Sequence, residues 1–419
     1  MKKFIALVLA LDCLLALGQA ADRSPFNVLD FGAKGDGATK DTTAIQNALD
    51  ACADSGGGTV LVPEGTYLTG SLVMRGNTTL QLSSRACLMG SPDIADYPIV
   101  NIRFEGEFRE GHRALISATD AANVTISGGA IFGPPVSLGR LRNPRGPVLV
   151  ELTGCTNAVL ESFTAQYQQL WTIHVLYCKN LEVRNLIIRT VRENGDGIDV
   201  DSCDGVTIEH CDINTGDDAI SLKSGRGLAA QDLARPTENV VIRNCRLESS
   251  IYAALGLGTE ISGGVRNVKL QNCVISGRQN AIYIKSREGR GGYMQNISGE
   301  NLTVLKSPTF IGIDLLKKGI QASDPVPGEV EKWSLVRNLS FKNIHLQDVD
   351  MLVEGTNVPL ARPVDGFTLA DISGNCAHGI VLANMTNVVL SAINVSGYTG
   401  KLVTMENVSG TGLGDSASR

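Results

Sequence analysis

One stretch of the chain stands out for its chemistry: Glu193-Asn-Gly-Asp-Gly-Ile-Asp-Val-Asp-Ser-Cys-Asp-Gly-Val-Thr-Ile-Glu-His-Cys-Asp-Ile-Asn-Thr-Gly-Asp-Asp-Ala-Ile-Ser-Leu-Lys223. Asp196 precedes Asp217 and Asp218 by 21 and 22 residues. If that interval is one coil of a stacked structure, the three carboxylates lie on neighbouring coils, roughly 4.8 Å apart in backbone, and share one surface. Crowding of that kind raises the pKa of at least one carboxyl and leaves the others ionised. Glycoside hydrolysis needs such a division into acid and base. Asp199, Asp201 and Asp204 read instead as turn or surface carboxylates that solvate a face or hold calcium. Adjacent aspartates in a regular strand point to opposite faces, so Asp217 and Asp218 act together only if Gly216 permits a bend.

The surrounding sequence supplies the stack. An Asn or Gly followed by alternating apolar residues recurs at Asn123, Asn157, Asn180, Gly205, Asn239, Asn267, Asn296, Asn338 and Asn387. Intervals of 34, 23, 25, 34, 28 and 29 residues separate the first seven. Alternation means strands with one buried face, and a recurrence near 23 to 25 residues is one turn of a solenoid of about three short strands. The expected fold is therefore all-β, a single-stranded right-handed parallel β-helix. Asn heading each repeat suits a left-handed turn residue and allows amide ladders between coils. An open coil would expose unpaired backbone, so the stack needs a cap. The helix that begins after Asp41 provides it, with Asp41 as N-cap and Ala44, Ile45, Ala48, Leu49 and Cys52 as the apolar stripe. Segments 133–147 and 317–333 read as projecting loops.

Residues 1–20 read as a secretory signal, with Lys2 and Lys3, an apolar run from Phe4 to Leu17, and Gly18-Gln19-Ala20 as the cleavage site. Residues 21–419 are expected to form one catalytic domain, exported to the periplasm or the exterior and acting as a monomer. No later run approaches a membrane span, and a net charge of −6 argues against nucleic acid as a partner. The cysteines after Cys13 are too sparse for a disulfide scaffold. Cys155, Cys178, Cys203, Cys245 and Cys273 fall within the repeats, which favours buried stacked thiols and leaves one or two disulfides open.

Asn194-Gly-Asp196, Gly216-Asp217-Asp218 and Tyr283-Ile-Lys285, on a β-helix opened by Phe31-Gly-Ala-Lys-Gly-Asp-Gly, resemble the polygalacturonase family, glycoside hydrolase family 28, over roughly residues 25 to 410. The resemblance implies hydrolysis with inversion, without metal or other cofactor, on a pectic polysaccharide. It makes Asp217 the general acid and gives Asp196 and Asp218 the water. It makes Lys285 a ligand of a galacturonate carboxylate and Asn194 a support for the acid. Inversion predicts acid-to-base separations of roughly 6.5 to 9.5 Å.

Two departures concern the leaving-group side. The family's Gly-His-Gly falls within Tyr252-Ala253-Ala254, without the histidine, and its Arg-Ile-Lys reads Tyr283-Ile284-Lys285, without the arginine. Rhamnogalacturonan hydrolases of the family share this pattern, with neutral rhamnose leaving. The departures therefore lean toward the rhamnogalacturonan backbone over homogalacturonan. Further substrate contacts are expected from Tyr283, Lys223 and His174, while Arg226, Arg287 and Arg290 read as local positive charge or solvated surface. No pair of histidines has metal-site spacing. The competing classes are a β-helix polysaccharide lyase, which needs an Arg or Lys base and usually calcium, and a non-catalytic carbohydrate-binding β-helix.

Overall fold

Each repeat contributes three short strands, and each strand pairs in parallel with its equivalent one coil away. In the computed structural model, residues 24–135, 141–316, 324, 328 and 330–414 are described. The signal-like segment 1–20 and parts of the two expected loops lie outside them. Among the described residues, 31 strands form one continuous sheet wound as a parallel β-helix. The first face carries strands such as Lys179–Arg184 and Asp204–Glu209. The second carries Ile187–Arg189 and Asp212–Thr215, and the third Ile198–Asp201 and Ile220–Lys223.

Register explains the packing. Ile173, Ile198, Ile220, Leu255, Ile282 and Ile311 align coil over coil on the third face, each at most 1% exposed. Side chains in a strand alternate between faces, so the neighbouring column points outward. That column runs Glu151, His174, Asp199, Ser221, Gly256, Tyr283 and Gly312.

The repeat heads adopt the expected conformation, with φ of 53–57° at Asn123, Asn157, Asn180, Asn239, Asn267, Asn296, Asn338 and Asn387. Their amides form ladders: Asn157 Nδ2 donates to Asn123 Oδ1 at 3.3 Å, and Asn180 Nδ2 to Asn157 Oδ1 at 3.1 Å. Gly205 interrupts the ladder, and Asn239 turns to Asp204 Oδ1 at 2.7 Å. Six cysteines are buried free thiols in two stacks, Cys155–Cys178–Cys203 and Cys211–Cys245–Cys273, and all nine described cysteines are unpaired.

The cap is the helix Thr42–Asp54, which buries Ile45, Ala48, Leu49 and Cys52. Asp41 stands at its N-cap position but makes no capping hydrogen bond. Its carboxylate accepts instead from the backbone N–H groups of Lys34 and Gly35, at 2.7 and 3.0 Å. It ties the loop before the helix to the helix.

Insertions interrupt the coils: one lies between the second and third faces, and another, the helix Gly227–Leu233, between the third and the first. The first is an antiparallel hairpin, Ile99–Phe104 with Glu107–His112, an element the repeat pattern did not suggest. Its two-residue turn is Glu105-Gly106, at φ of 49° and 79°, matching the left-handed pair of a type I′ turn. Ile102 and Phe104 pack on Ala114, Val148, Leu170 and Trp171 in a cluster separate from the main core. This cluster walls one side of the third face.

Replacing the ladder residue Asn180 by alanine removes a hydrogen bond, worth about 1 kcal/mol, and also the short polar side chain that lets a residue with a β-carbon tolerate a left-handed φ, at about a further 1 kcal/mol. Asn180→Gly removes the hydrogen bond alone. In urea unfolding, the alanine variant should be destabilised by about twice as much as the glycine variant. Equal losses would show that backbone conformation is not why Asn stands there.

Candidate active site

The turns between the second and third faces place the acidic residues. Strand Asp212–Thr215 ends, Gly216-Asp217-Asp218-Ala219 turns, and Ile220 begins the next strand. The two aspartates thus lie in a turn, and both reach the same surface. A β-carbon on Gly216 would meet the Arg192 carbonyl oxygen at 2.3 Å, so close approach of the neighbouring coil explains the glycine. Asp196 occupies the equivalent turn one coil earlier, where Gly197 N donates to Asp218 O at 3.0 Å.

Carboxylate oxygens of Asp196, Asp217 and Asp218 lie within 4.8 Å of one another. This is tighter than the roughly 6.5–9.5 Å expected for an acid and base flanking a water. The coil spacing, with two of the residues adjacent in sequence, sets the shorter distance. Asp217 Oδ2 accepts from the Asn194 N–H at 2.9 Å, and its Oδ1 from the Asp218 N–H at 2.9 Å. Asn194 supports Asp217 through its backbone, while its side-chain oxygen accepts from Arg145 Nη2 at 2.8 Å. Arg145 also lies 4.3 Å from the centre of the hairpin's Phe104 ring. Asp218 Oδ2 accepts from Lys285 Nζ at 2.6 Å, and its Oδ1 from the Ala253 N–H at 3.1 Å.

Proton affinities follow from these surroundings. Burial, and then the charges of Asp199 and Asp217, push the Asp196 carboxyl well above the usual carboxylate range. Burial, then Asp218, raises Asp217 to about 6. Burial alone would lower Lys285, but the adjoining Asp218 outweighs it and holds the ammonium above its ordinary value. The cluster therefore retains a proton near neutrality. The chemistry of three hard oxygen donors also suits a divalent cation, yet here Lys285 and Lys223 already face Asp218 and Asp196, at 2.6 and 3.7 Å.

Several expected contacts are corrected. His174 is fully buried, its Nδ1 3.0 Å from Glu151 Oε1, so it lies beneath the surface a substrate would touch. Lys223 is ion-paired to Asp199 Oδ1 at 2.5 Å and lies 3.7 Å from Asp196 Oδ2, a counter-charge to both carboxylates. Asp199 and Asp201 are buried, not solvated; Asp201 Oδ2 accepts from the hairpin's Arg103 Nε at 3.2 Å. Arg226 joins Glu107 and Asp324, and the fully buried Arg290 pairs with Asp324, so neither is solvated surface. Tyr283 lies in the outward column between the Gly256 and Gly312 positions, its ring centre 5.6 Å from Lys285 Nζ. Gly256, Trp171 and Arg145 were not singled out from sequence. The Glu105-Gly106 turn between alternating segments was the available signal for the wall that carries Phe104 to Arg145.

The pattern of Glycosyl hydrolases family 28 matches residues 52–347. The chain belongs to this family. It is thus a glycoside hydrolase with the polygalacturonase type of β-helix. A probable polygalacturonase of Vitis vinifera is 28% identical over 367 residues, covering 83% of this chain and 73% of that one. An exopolygalacturonase structure from Thermotoga maritima superposes with a TM-score of 0.72 at 26% identity, covering 93% and 92% of the two chains. A Yersinia enterocolitica family 28 exopolygalacturonase shares the fold with a TM-score of 0.80 at 22% identity, covering 91% and 77%.

Gly256 tests the geometry, because a β-carbon there would meet Asp218 Oδ2 at 2.3 Å. Gly256→Ala should displace that carboxylate and lower kcat by on the order of 10²-fold, the penalty of about 1 Å of misplacement, with an unchanged far-ultraviolet circular dichroism spectrum. Wild-type turnover would show that the position of Asp218 is not critical.

Proposed function

We propose that the protein is an exported hydrolase of pectin that cleaves α-galacturonate linkages with inversion, Asp217 serving as acid and Asp196 with Asp218 activating water. The observation that carries this reading is three carboxylates within 4.8 Å of one another with both Asp196 and Asp217 raised, so that the cluster holds a proton while it keeps a charge. Asp217 is also the most exposed of the three, at 8% against 4% and 2%, as a group that must reach the leaving oxygen should be. Both oxygens of Asp218 are held by donors, which suits fixing a water better than bonding to a sugar carbon. Lys285, beside Asp218, is positioned to meet a galacturonate carboxylate.

Leaving-side specificity follows from the charge that is missing. Tyr252 and Ala253 fall where the histidine would stand, and Tyr283 stands in place of the arginine. Burial, then the nearby charges of Asp217 and Glu193, raise the Tyr252 phenol, so the surroundings of Tyr252 are acidic. A second sugar carboxylate desolvated there without a partner costs at least a few kcal/mol, and each 1.4 kcal/mol is about tenfold in kcat/KM. A neutral leaving sugar such as rhamnose avoids that penalty. The polygalacturonase names of the relatives favour the other reading, homogalacturonan.

Product analysis on both polymers decides between them. The galacturonate-to-rhamnose linkage should be cleaved at least about tenfold faster in kcat/KM, and Tyr283→Arg should narrow the difference. Equal or faster cleavage of homogalacturonan by the unmutated protein would refute the preference. Unsaturated products absorbing ultraviolet light would mark a lyase.

The acid is tested by its proton. Activity should fall as pH rises through about 6, where Asp217 loses the proton it must donate. Asp217→Asn should lower kcat by about 10² to 10⁴ with folding intact, and EDTA should have no effect. Near wild-type turnover in that variant would move the acid elsewhere.

A further inference from the structure

Beneath the three carboxylates runs a second row of titratable groups, buried except for the partly exposed Glu151. Glu151, His174 and Asp199 are consecutive in the outward column of the third face. Lys223, one coil further on and two residues along its strand, reaches back so that its Nζ lies 2.5 Å from Asp199 Oδ1. The same Nζ lies 3.7 Å from Asp196 Oδ2 and 3.9 Å from the centre of the Trp171 ring. Trp171 packs edge-on against His174 at 5.0 Å between ring centres. The ammonium is thus confined by a ring and a fixed carboxylate, and it also faces Asp196 at 3.7 Å. Asp199 and His174 are 0% exposed, so neither reaches a substrate.

We propose that Asp199 is a positioning residue that acts through Lys223: it fixes the ammonium at the height where it faces Asp196 and so sets the proton affinity of the water-activating carboxylate. The inference rests on the reading of Asp196 as part of the base. Without Asp199, the flexible lysine stem would settle against Asp196 alone; without Lys223, Asp196 would face only like charges on its own side of the cluster. The groups that bear on this unit are Asp199, Asp217 and Asp218 as anions around Asp196, Lys285 across the cluster, Glu260 facing Lys223, and His174 facing Asp199. Glu151 holds the far side of His174.

The consequence is a pair of opposite shifts, which loss of structure alone would not produce. Deprotonation of the base sets the acid limb of the kcat/KM profile. Lys223→Met removes a cation near Asp196 and should move that limb up by about one pH unit, the size of effect an opposite charge within 4–6 Å exerts. Asp199→Asn removes a repelling anion and releases the lysine, and should move it down. Lys223→Arg keeps the charge and should hold the limb near its wild-type position. The profiles are measured on the full chain with polygalacturonate and with rhamnogalacturonan backbone, using whichever is cleaved faster. Limbs that stay in place in the first two variants, or move in the same direction, would overturn the proposal. If Asp199→Asn fails to fold, Lys223→Met against Lys223→Arg carries the test, and equal limbs in that pair would overturn it. Wild-type turnover in Asp196→Asn would instead defeat the underlying assignment of the base.

Discussion

The backbone hydrogen bonds between successive coils are the interaction on which the site depends. Each third-face strand pairs residue for residue with the next, from Val150–Thr153 through Thr309–Asp314. A one-residue slip would exchange every inward and outward side chain. The apolar column from Ile173 to Ile311 makes such a slip prohibitive. The same register brings Asp196 beside Asp217 and Asp218 and places Lys285 two coils beyond them, within reach of Asp218. Stability of the core and placement of the chemistry are one constraint.

Holding like charges this close requires compensation. The fold supplies it through two lysines drawn from third-face strands, Lys223 and Lys285, and through backbone N–H donors from Asn194, Asp218 and Ala253. Interior ion pairs are expensive unless geometry and hydrogen bonding are good. Here they are fixed in a rigid stack, so the electrostatic pattern is set before any substrate arrives. That pattern is the preorganisation catalysis exploits. The hairpin and its cluster with Trp171 close one side over this row.

The sequence made the repeating features legible because repetition is itself the signal: alternating strands, left-handed asparagines, stacked thiols and the capping helix all recur or sit where a solenoid must end. The Asn194-Gly-Asp196 and Gly216-Asp217-Asp218 motifs were legible because one coil separates them. What spacing cannot reveal is depth. His174 and Lys223 lie in or beside the same outward column as Tyr283; all three are buried, and the first two are tied to Glu151 and Asp199. Asp199 and Asp201 read as surface carboxylates for the same reason, since the lysine and arginine that neutralise them come from another coil and from the hairpin. The acid-to-base distance also escaped the pattern, because it depends on how a turn of two adjacent aspartates meets the turn of the previous coil.

That distance makes stereochemistry the most direct test of the account. A single displacement by water, with Asp217 as acid and the other two carboxylates on the water, inverts the anomeric centre, whereas separations of about 5–5.5 Å are typical of retaining enzymes. Proton NMR of the first-formed reducing sugar, recorded before mutarotation, distinguishes the two. The inverted anomer is expected. The retained anomer would mean that one of these carboxylates bonds to the sugar, and would contradict it.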